Sequence, residues 1–270
     1  MDSAKAEGRP LALVTGASSG IGAAFAEHLA RDGHHLIIVA RRAERLRRLA
    51  QRLHADFGVA VESLVADLTD PAGLGSVEQA LLEQRPDLLI NNAGFSGYGP
   101  FTEIEPGVAD GVVRIHALAV ARLTRAALPG MVARGSGAVI NVASLLALSG
   151  PLALGRMTGR ATYAGAKAFL LAFTQALAGE LEGSGVRIMV LLPGMVRSEF
   201  HGEHGLPAHL PVMDAADVAA AALAGLALGE VVCVPGLEDI GLFEKLRDLQ
   251  QAILSGGNQV EVAARYRRRP

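Results

Sequence analysis

Short apolar runs recur along the chain, each followed by turn residues and then by a stretch with helical spacing. Leu11 to Val14, Leu36 to Val39, Val59 to Val65, Leu88 to Ile90, Ala138 to Val142, Val186 to Leu192 and Val231 to Val234 are short, apolar and rich in β-branched residues. Such runs suit strands of a parallel sheet buried on both faces. Between them the period changes. Ile21 to Arg31 places Ala24, Phe25, His28 and Leu29 on one side, and Leu46, Leu49, Leu53 and Phe57 form a second stripe. Asp70-Pro71 offers a cap and a first-turn proline ahead of Leu74, Val77 and Leu81. Ala-rich Ala215 to Leu228 reads as a helix that can pack closely on its neighbours. Seven strands alternating with helices predict a doubly wound α/β sheet of the Rossmann type, with helices on both faces. No internal repeat or low-complexity linker breaks the pattern. With 270 residues, 50% of them hydrophobic, the chain can bury one sizeable core, so a single domain is expected over 1–270.

The first strand-to-helix turn carries chemistry. Thr15-Gly16-Ala17-Ser18-Ser19-Gly20-Ile21-Gly22 has glycine where a tight turn and close approach of phosphate and helix are needed. The helix start behind it offers unpaired N–H groups to an anion, and Ser18 and Ser19 add hydroxyls. An ordinary strand-to-helix turn shows the same glycines, but the strand before and the helix after point to a dinucleotide pyrophosphate. At the end of the second strand, where a site for the unphosphorylated cofactor would place Asp or Glu, the chain reads Val39-Ala40-Arg41-Arg42. Two guanidiniums there can pair with a 2′-phosphate, which favours NADP(H). The alternative is that they only begin a solvated helix in which Glu44 pairs with Arg48.

Composition excludes other classes. The formal net charge of −2 gives no electrostatic reason to bind nucleic acid or an anionic membrane. Gly135 to Gly155 is uncharged over a length that could span a bilayer, but Asn141, Ser144, Ser149, Pro151 and several glycines make it a strand and a loop. The single cysteine, Cys233, lies in an apolar run and reads as a buried thiol in a reducing cytosol. Met1 to Pro10 shows no apolar stretch, so no secretory signal is read there, and Arg267 to Arg269 reads as a solvated tail. A cytoplasmic location is expected.

Far downstream, Tyr163-Ala164-Gly165-Ala166-Lys167 puts a phenol and an ammonium one helical turn apart. Taken in order with Gly16, Gly20 and Gly22, then Asn91-Asn92-Ala93-Gly94, Ser144 and Pro193-Gly194, these motifs make the chain resemble the short-chain dehydrogenase/reductase family from roughly Pro10 to Pro235. The resemblance implies that Asn91 to Gly94 borders the adenosine and the nicotinamide ribose, and that Asp67 and Leu68 touch the adenine. It implies further that Pro193, Gly194, Val196 and Ser198 hold the carboxamide, and that Lys167 holds the nicotinamide ribose. It also implies a homodimer or homotetramer, with Val112 to Leu128 and Ala161 to Leu181 able to pack across subunits. The side chains suggest the chemistry. Hydride transfer to a carbonyl leaves an alkoxide that Tyr163 can protonate, Ser144 can polarise the carbonyl, and the Lys167 charge together with an oxidised nicotinamide is expected to lower the phenol pKa.

Two departures stand out. The family usually carries an Asn on the helix after the fourth strand, where it holds a relay water beside the lysine; here His116 takes that place. An imidazole can hold a water or pass a proton, or it can be a packed histidine. Between Ser144 and Tyr163 the chain is longer than the family implies, and this leucine-rich loop either shapes an apolar pocket or packs at the rim or between subunits. Val196 to Val212 resembles the family's mobile lid, and its His201, His204 and His209 fit no standard zinc spacing, so no metal is expected. Phe95, Tyr98, Leu145, Met195 and Phe200 are expected to line the substrate pocket, and residues 238–270 to form a C-terminal extension. The reading is an NADP(H)-dependent reductase of a small, apolar ketone or aldehyde, or a dehydrogenase of the corresponding secondary alcohol. The alternatives are a reductase of 3-oxoacyl thioesters and, from another class, a weakly catalytic nucleotide-sensing or scaffold protein.

Overall fold

The computed structural model describes residues 8–152, 159–200 and 211–267. Expectations for 1–7, 153–158, 201–210 and 268–270, including the three lid histidines, lie outside the described residues. Each predicted apolar run becomes a strand: β1 Leu11–Thr15, β2 His35–Ala40, β3 Val61–Val65, β4 Leu88–Asn91, β5 Gly137–Val142, β6 Val186–Leu191 and, as the last strand of the sheet, Val232–Cys233. Short β7 Val196–Arg197 and β8 Met213–Asp214 pair with each other, so the last strand is β9. The main sheet is parallel in the order β3-β2-β1-β4-β5-β6-β9. Strand order reverses beside β1, and a crevice for a ligand opens there at the carboxyl ends of the strands.

Helices α1 Gly20–Arg31, α2 Ala43–Phe57, α3 Pro71–Gln84, α4 Pro106–Val113, α5 Ala119–Ala133, α6 Ala161–Glu180 and α7 Ala215–Leu228 cover the sheet. Successive β1 side chains alternate between two cores. Ala12 and Val14 pack with Phe25, Leu29, Leu46 and Val218, and Leu11 and Leu13 pack with Leu74, Val77 and Leu123. Asp70 caps α3 by accepting from Gly73 N at 2.9 Å. Cys233 is buried, as expected.

Two details of the pattern are corrected. The buried face of α1 is Gly22, Phe25, Ala26, Leu29 and Ala30. Ala24 and His28 fall at its edge, where His28 Nε2 lies 3.1 Å from the Ala216 carbonyl at the start of α7. The strand β3 is an edge strand rather than one buried on both faces, and its Val65 is 53% exposed.

Chain contacts divide the protein into two units, Met1–Pro235 and Gly236–Pro270. The sheet and every candidate site residue belong to the first. The second holds α8 Gly241–Gly257, which has no buried residue and exposes Leu242, Leu249, Ile253 and Leu254. No helix among the described residues is long and apolar enough to cross a membrane.

Candidate active site

The Gly-rich turn and the loop after β4 interlock. Thr15 Oγ1 donates to the Ile90 carbonyl at 3.2 Å and accepts from the N–H groups of Asn92 (2.9 Å) and Ala93 (3.0 Å). Asn92 Nδ2 returns a bond to the Thr15 carbonyl at 3.0 Å. Glycine is required at two points. Gly16 has φ +69°, and a Cβ on it would lie 2.7 Å from Asn92 Nδ2; a Cβ on Gly22 would lie 2.4 Å from the Gly16 carbonyl oxygen. Among the described residues no side chain caps α1, and no acid stands in its first turn, so its start at Gly20 and Ile21 faces the crevice with its donors unneutralised. Ser198, after β7, reaches this turn, 3.0 Å from where a Cβ of Gly20 would be.

Beside the turn lies a basic slot. Arg42 donates through Nε and a terminal nitrogen to Ser18 Oγ, at 3.0 and 2.7 Å, and to Ser19 Oγ at 2.7 Å. Its other terminal nitrogen meets Glu199 Oε2 at 2.7 Å, and Arg45 meets both Glu199 oxygens at 2.7 and 2.6 Å. Arg41 turns away to Asp67, 3.6 Å distant, whose carboxylate also accepts from the Thr69 backbone and hydroxyl. The Glu44–Arg48 pair foreseen as the alternative also forms, at 3.6 Å, without engaging Arg41 or Arg42.

On the far side of the crevice, β5 and α6 bring Ser144, Tyr163 and Lys167 together. Ser144, two residues past β5, caps a short helical turn, Leu145–Leu148, by accepting from Leu146 N at 3.2 Å. Its hydroxyl also hydrogen-bonds the Tyr163 phenol. Lys167 is buried, donates to the Val142 carbonyl at 2.7 Å and stands 5.6 Å from the centre of the Tyr163 ring. Burial lowers its pKa to about 7. In the cofactor-free protein burial first, and then the neighbouring Tyr98 phenol, raise the Tyr163 pKa, and the bond from Ser144 opposes them only in part. The phenol is therefore held protonated.

His116 joins this group through a π-helical turn, Arg114–Leu118, between α4 and α5. Such wide turns re-aim side chains within a helix. The ring lies 5.2 Å from the Tyr163 ring, edge-on, and Nε2 is 2.8 Å from the Phe95 carbonyl. A carbonyl only accepts, so Nε2 carries the proton and Nδ1 is an acceptor, buried and without a partner among the described residues. Burial, then the Lys167 charge, push its pKa well below the usual value. Gly94 makes room for it: a Cβ there would lie 2.1 Å from His116 Cε1.

Of the remaining expected cofactor contacts, two side chains serve the fold. Asn91 is buried, donating to Thr124 Oγ1 (3.1 Å) and Asn141 Oδ1 (2.9 Å), and Asn141 donates to Thr174 Oγ1 at 3.0 Å. This network ties α5 and α6 to the sheet, and Leu68 is buried in the core. Pro193 accepts from Leu145 N at 3.0 Å, Gly194 faces Leu145, and Val196 anchors β7 in the core. The expected pocket residues partly converge. Tyr98 and Phe200 lie 5.2 and 5.9 Å from the Tyr163 ring, and Phe95 packs on the same cluster. Leu145 is exposed at the rim, and the Met195 carbonyl accepts from Met213 N at 3.0 Å, joining β7 to β8. Arg45, Glu199, Leu146 and the Thr124–Asn141–Thr174 network were not foreseen. Arg45, three residues beyond Arg42, carried a usable signal; the others have partners far away in sequence.

A Rossmann-type sheet with a glycine-clasped crevice, a basic slot at one end and a serine, tyrosine and lysine at the other defines a nucleotide-dependent oxidoreductase fold. The short chain dehydrogenase family model matches residues 10–206, and the chain belongs to that family. A short chain dehydrogenase of Pseudocercospora fijiensis is 40% identical over 193 residues, 70% of this chain and 60% of that protein, so the matched part spans less than two thirds of this relative. Among solved structures, the short-chain dehydrogenase of Sphingobium yanoikuyae in complex with NADPH shares 39% identity at a TM-score of 0.88, over 95% of this chain and 100% of that one. The bulky-bulky ketone specific alcohol dehydrogenase of Comamonas testosteroni shares 35% at 0.86, over 96% and 99%. Both structural matches therefore extend well past residue 206.

Proposed function

We propose that this protein is an NADP(H)-dependent carbonyl reductase, or in reverse an alcohol dehydrogenase, for a bulky, apolar ketone or aldehyde. The observation that carries the reading is Tyr163, a buried and protonated phenol bonded to the Ser144 hydroxyl and ringed by Tyr98, Phe200 and Phe95. The chain's own residues fit the cofactor. Gly16 and Gly22 let the turn close against the loop after β4 and leave the start of α1 open to an anion, and Arg42, steadied by Ser18 and Ser19, converges with Arg45 on the anion that Glu199 supplies in this structure. When bound, NADPH would supply the hydride. Ser144 donates to the substrate carbonyl oxygen and polarises it, and Tyr163 delivers its proton to the same oxygen as the alkoxide develops. Lys167, with a pKa near neutrality, and the bare Nδ1 of His116 lie behind the phenol as the groups that return the proton.

The aromatic wall and the bulky ketones named for the Comamonas relative support an apolar substrate. We place the protein in the cytoplasm as a homo-oligomer acting as one catalytic domain, with no metal in the reaction. The test is NADPH and NADH consumption by wild type and Tyr163→Phe against apolar ketones, aldehydes and 3-oxoacyl thioesters. Wild type is expected to turn over bulky ketones with NADPH, and Tyr163→Phe to lose about 10²-fold or more while still binding NADPH. Turnover of thioesters alone would move the assignment to the acyl reductases. NADPH binding without turnover of any of them would favour a sensing role.

A further inference from the structure

Resting on the NADP(H) reading, we propose that Glu199 is a built-in occupant of the 2′-phosphate slot, which the cofactor's phosphate displaces, and that it sets how strongly the protein discriminates NADP(H) from NAD(H). The carboxylate comes from the segment that follows β7, 157 residues from Arg42 in sequence, yet it is held by three contacts of 2.6–2.7 Å from Arg42 and Arg45. Other acids near the slot are engaged elsewhere: Glu44 with Arg47 and Arg48, Asp67 with Arg41 and Thr69. Ser18 and Ser19 accept from Arg42, which leaves their own hydroxyl protons for an anion in the slot. Both guanidiniums and the carboxylate are about half exposed, at 43%, 40% and 56%, so the slot is open to exchange.

A phosphate monoester carries nearly two charges and three acceptor oxygens, against one charge and two oxygens for Glu199, so it makes the stronger partner for the same donors. Binding it means releasing the carboxylate, and that cost is absent for a nucleotide with a bare 2′-hydroxyl. Glu199 therefore weakens the binding of phosphorylated nucleotides selectively, while Arg45 strengthens it.

The experiment is calorimetric titration of 2′,5′-ADP and of 5′-ADP into the full chain as wild type, Glu199→Gln, Glu199→Ala and Arg45→Ala. With Glu199 as the displaced occupant, both Glu199 variants bind 2′,5′-ADP about three- to tenfold more tightly, and 5′-ADP changes by less than about twofold. Arg45→Ala breaks the same pair yet weakens 2′,5′-ADP binding by about tenfold, an opposition that loss of structure would not produce. Unchanged or weaker 2′,5′-ADP binding in the Glu199 variants would overturn the inference and make Glu199 an organiser of the arginines. Wild type that binds the two nucleotides equally, with no effect of Arg45→Ala, would instead remove the NADP(H) reading on which it rests.

Discussion

A lysine amine is a strong base in water, and the protein weakens it by surrounding Lys167 with side chains that cannot solvate its charge. Its ammonium donates to the Val142 carbonyl, and its pKa falls from 10.5 to about 7. Between those two values the unfolded chain keeps a proton that the native protein gives up, so raising the pH favours the native state. Stability of wild type relative to Lys167→Met should therefore climb from about pH 7 toward pH 10, with a limiting slope of about 1.4 kcal/mol per pH unit. Denaturation by urea at several pH values measures it, and a difference that stays flat with pH would show that the amine is not desolvated. Tyr163 and Lys167 were legible in the sequence as a pair one turn apart. How far burial shifts each of them was not, because burial depends on what packs around the pair; here it raises the phenol and lowers the amine.

At the scale of elements, His116 and Gly94 form a fitted pair. The imidazole takes the space a methyl group would fill, and the Phe95 carbonyl fixes its proton. Gly94→Ala is expected to displace the ring, destabilise the protein by about 1–3 kcal/mol as overpacking does, and lower turnover by about tenfold or more. Combining it with His116→Ala should return most of the stability and none of the activity, a non-additivity that a double-mutant cycle reads directly. Strands were readable because a buried parallel sheet demands continuous apolar runs, and α3 because Asp70 and Pro71 announce its start. The π turn at Arg114–Leu118 has no such mark, since its cause is how α4 and α5 seat on different neighbours. The packing role of Asn91 was hidden for a related reason: its partners Thr124 and Asn141, and Thr174 beyond Asn141, come from three other elements, and only the folded chain sets them together.

For the whole molecule, the proposed choice of cofactor rests where distant segments meet. Arg41 and Arg42 are both expected to pair with a phosphate because they follow β2; in this structure Arg41 meets Asp67, and Arg45 stands beside Arg42 on Glu199. Arg42→Ala should accordingly raise the KM for NADPH by about tenfold or more and change that for NADH little, whereas Arg41→Ala should have the smaller effect. Equal losses with both cofactors would argue against a phosphate slot. A last consequence follows from the wide turn ahead of α5. It takes up one extra residue in one long helical rod whose leading part, α4, leans on α6 while the trailing part, α5, lies against α3. Removing one residue from Arg114–Leu118 would restore an even winding with α4 and α5 still nearly in phase, and would change the aim of the side chains within the turn, His116 among them. The rod would keep step with both walls of the crevice and lose only the group it presents to Tyr163. Nucleotide binding at the glycine turn should survive such a deletion, and turnover should fall, which would make the two ends of the crevice separable by the winding of a single turn.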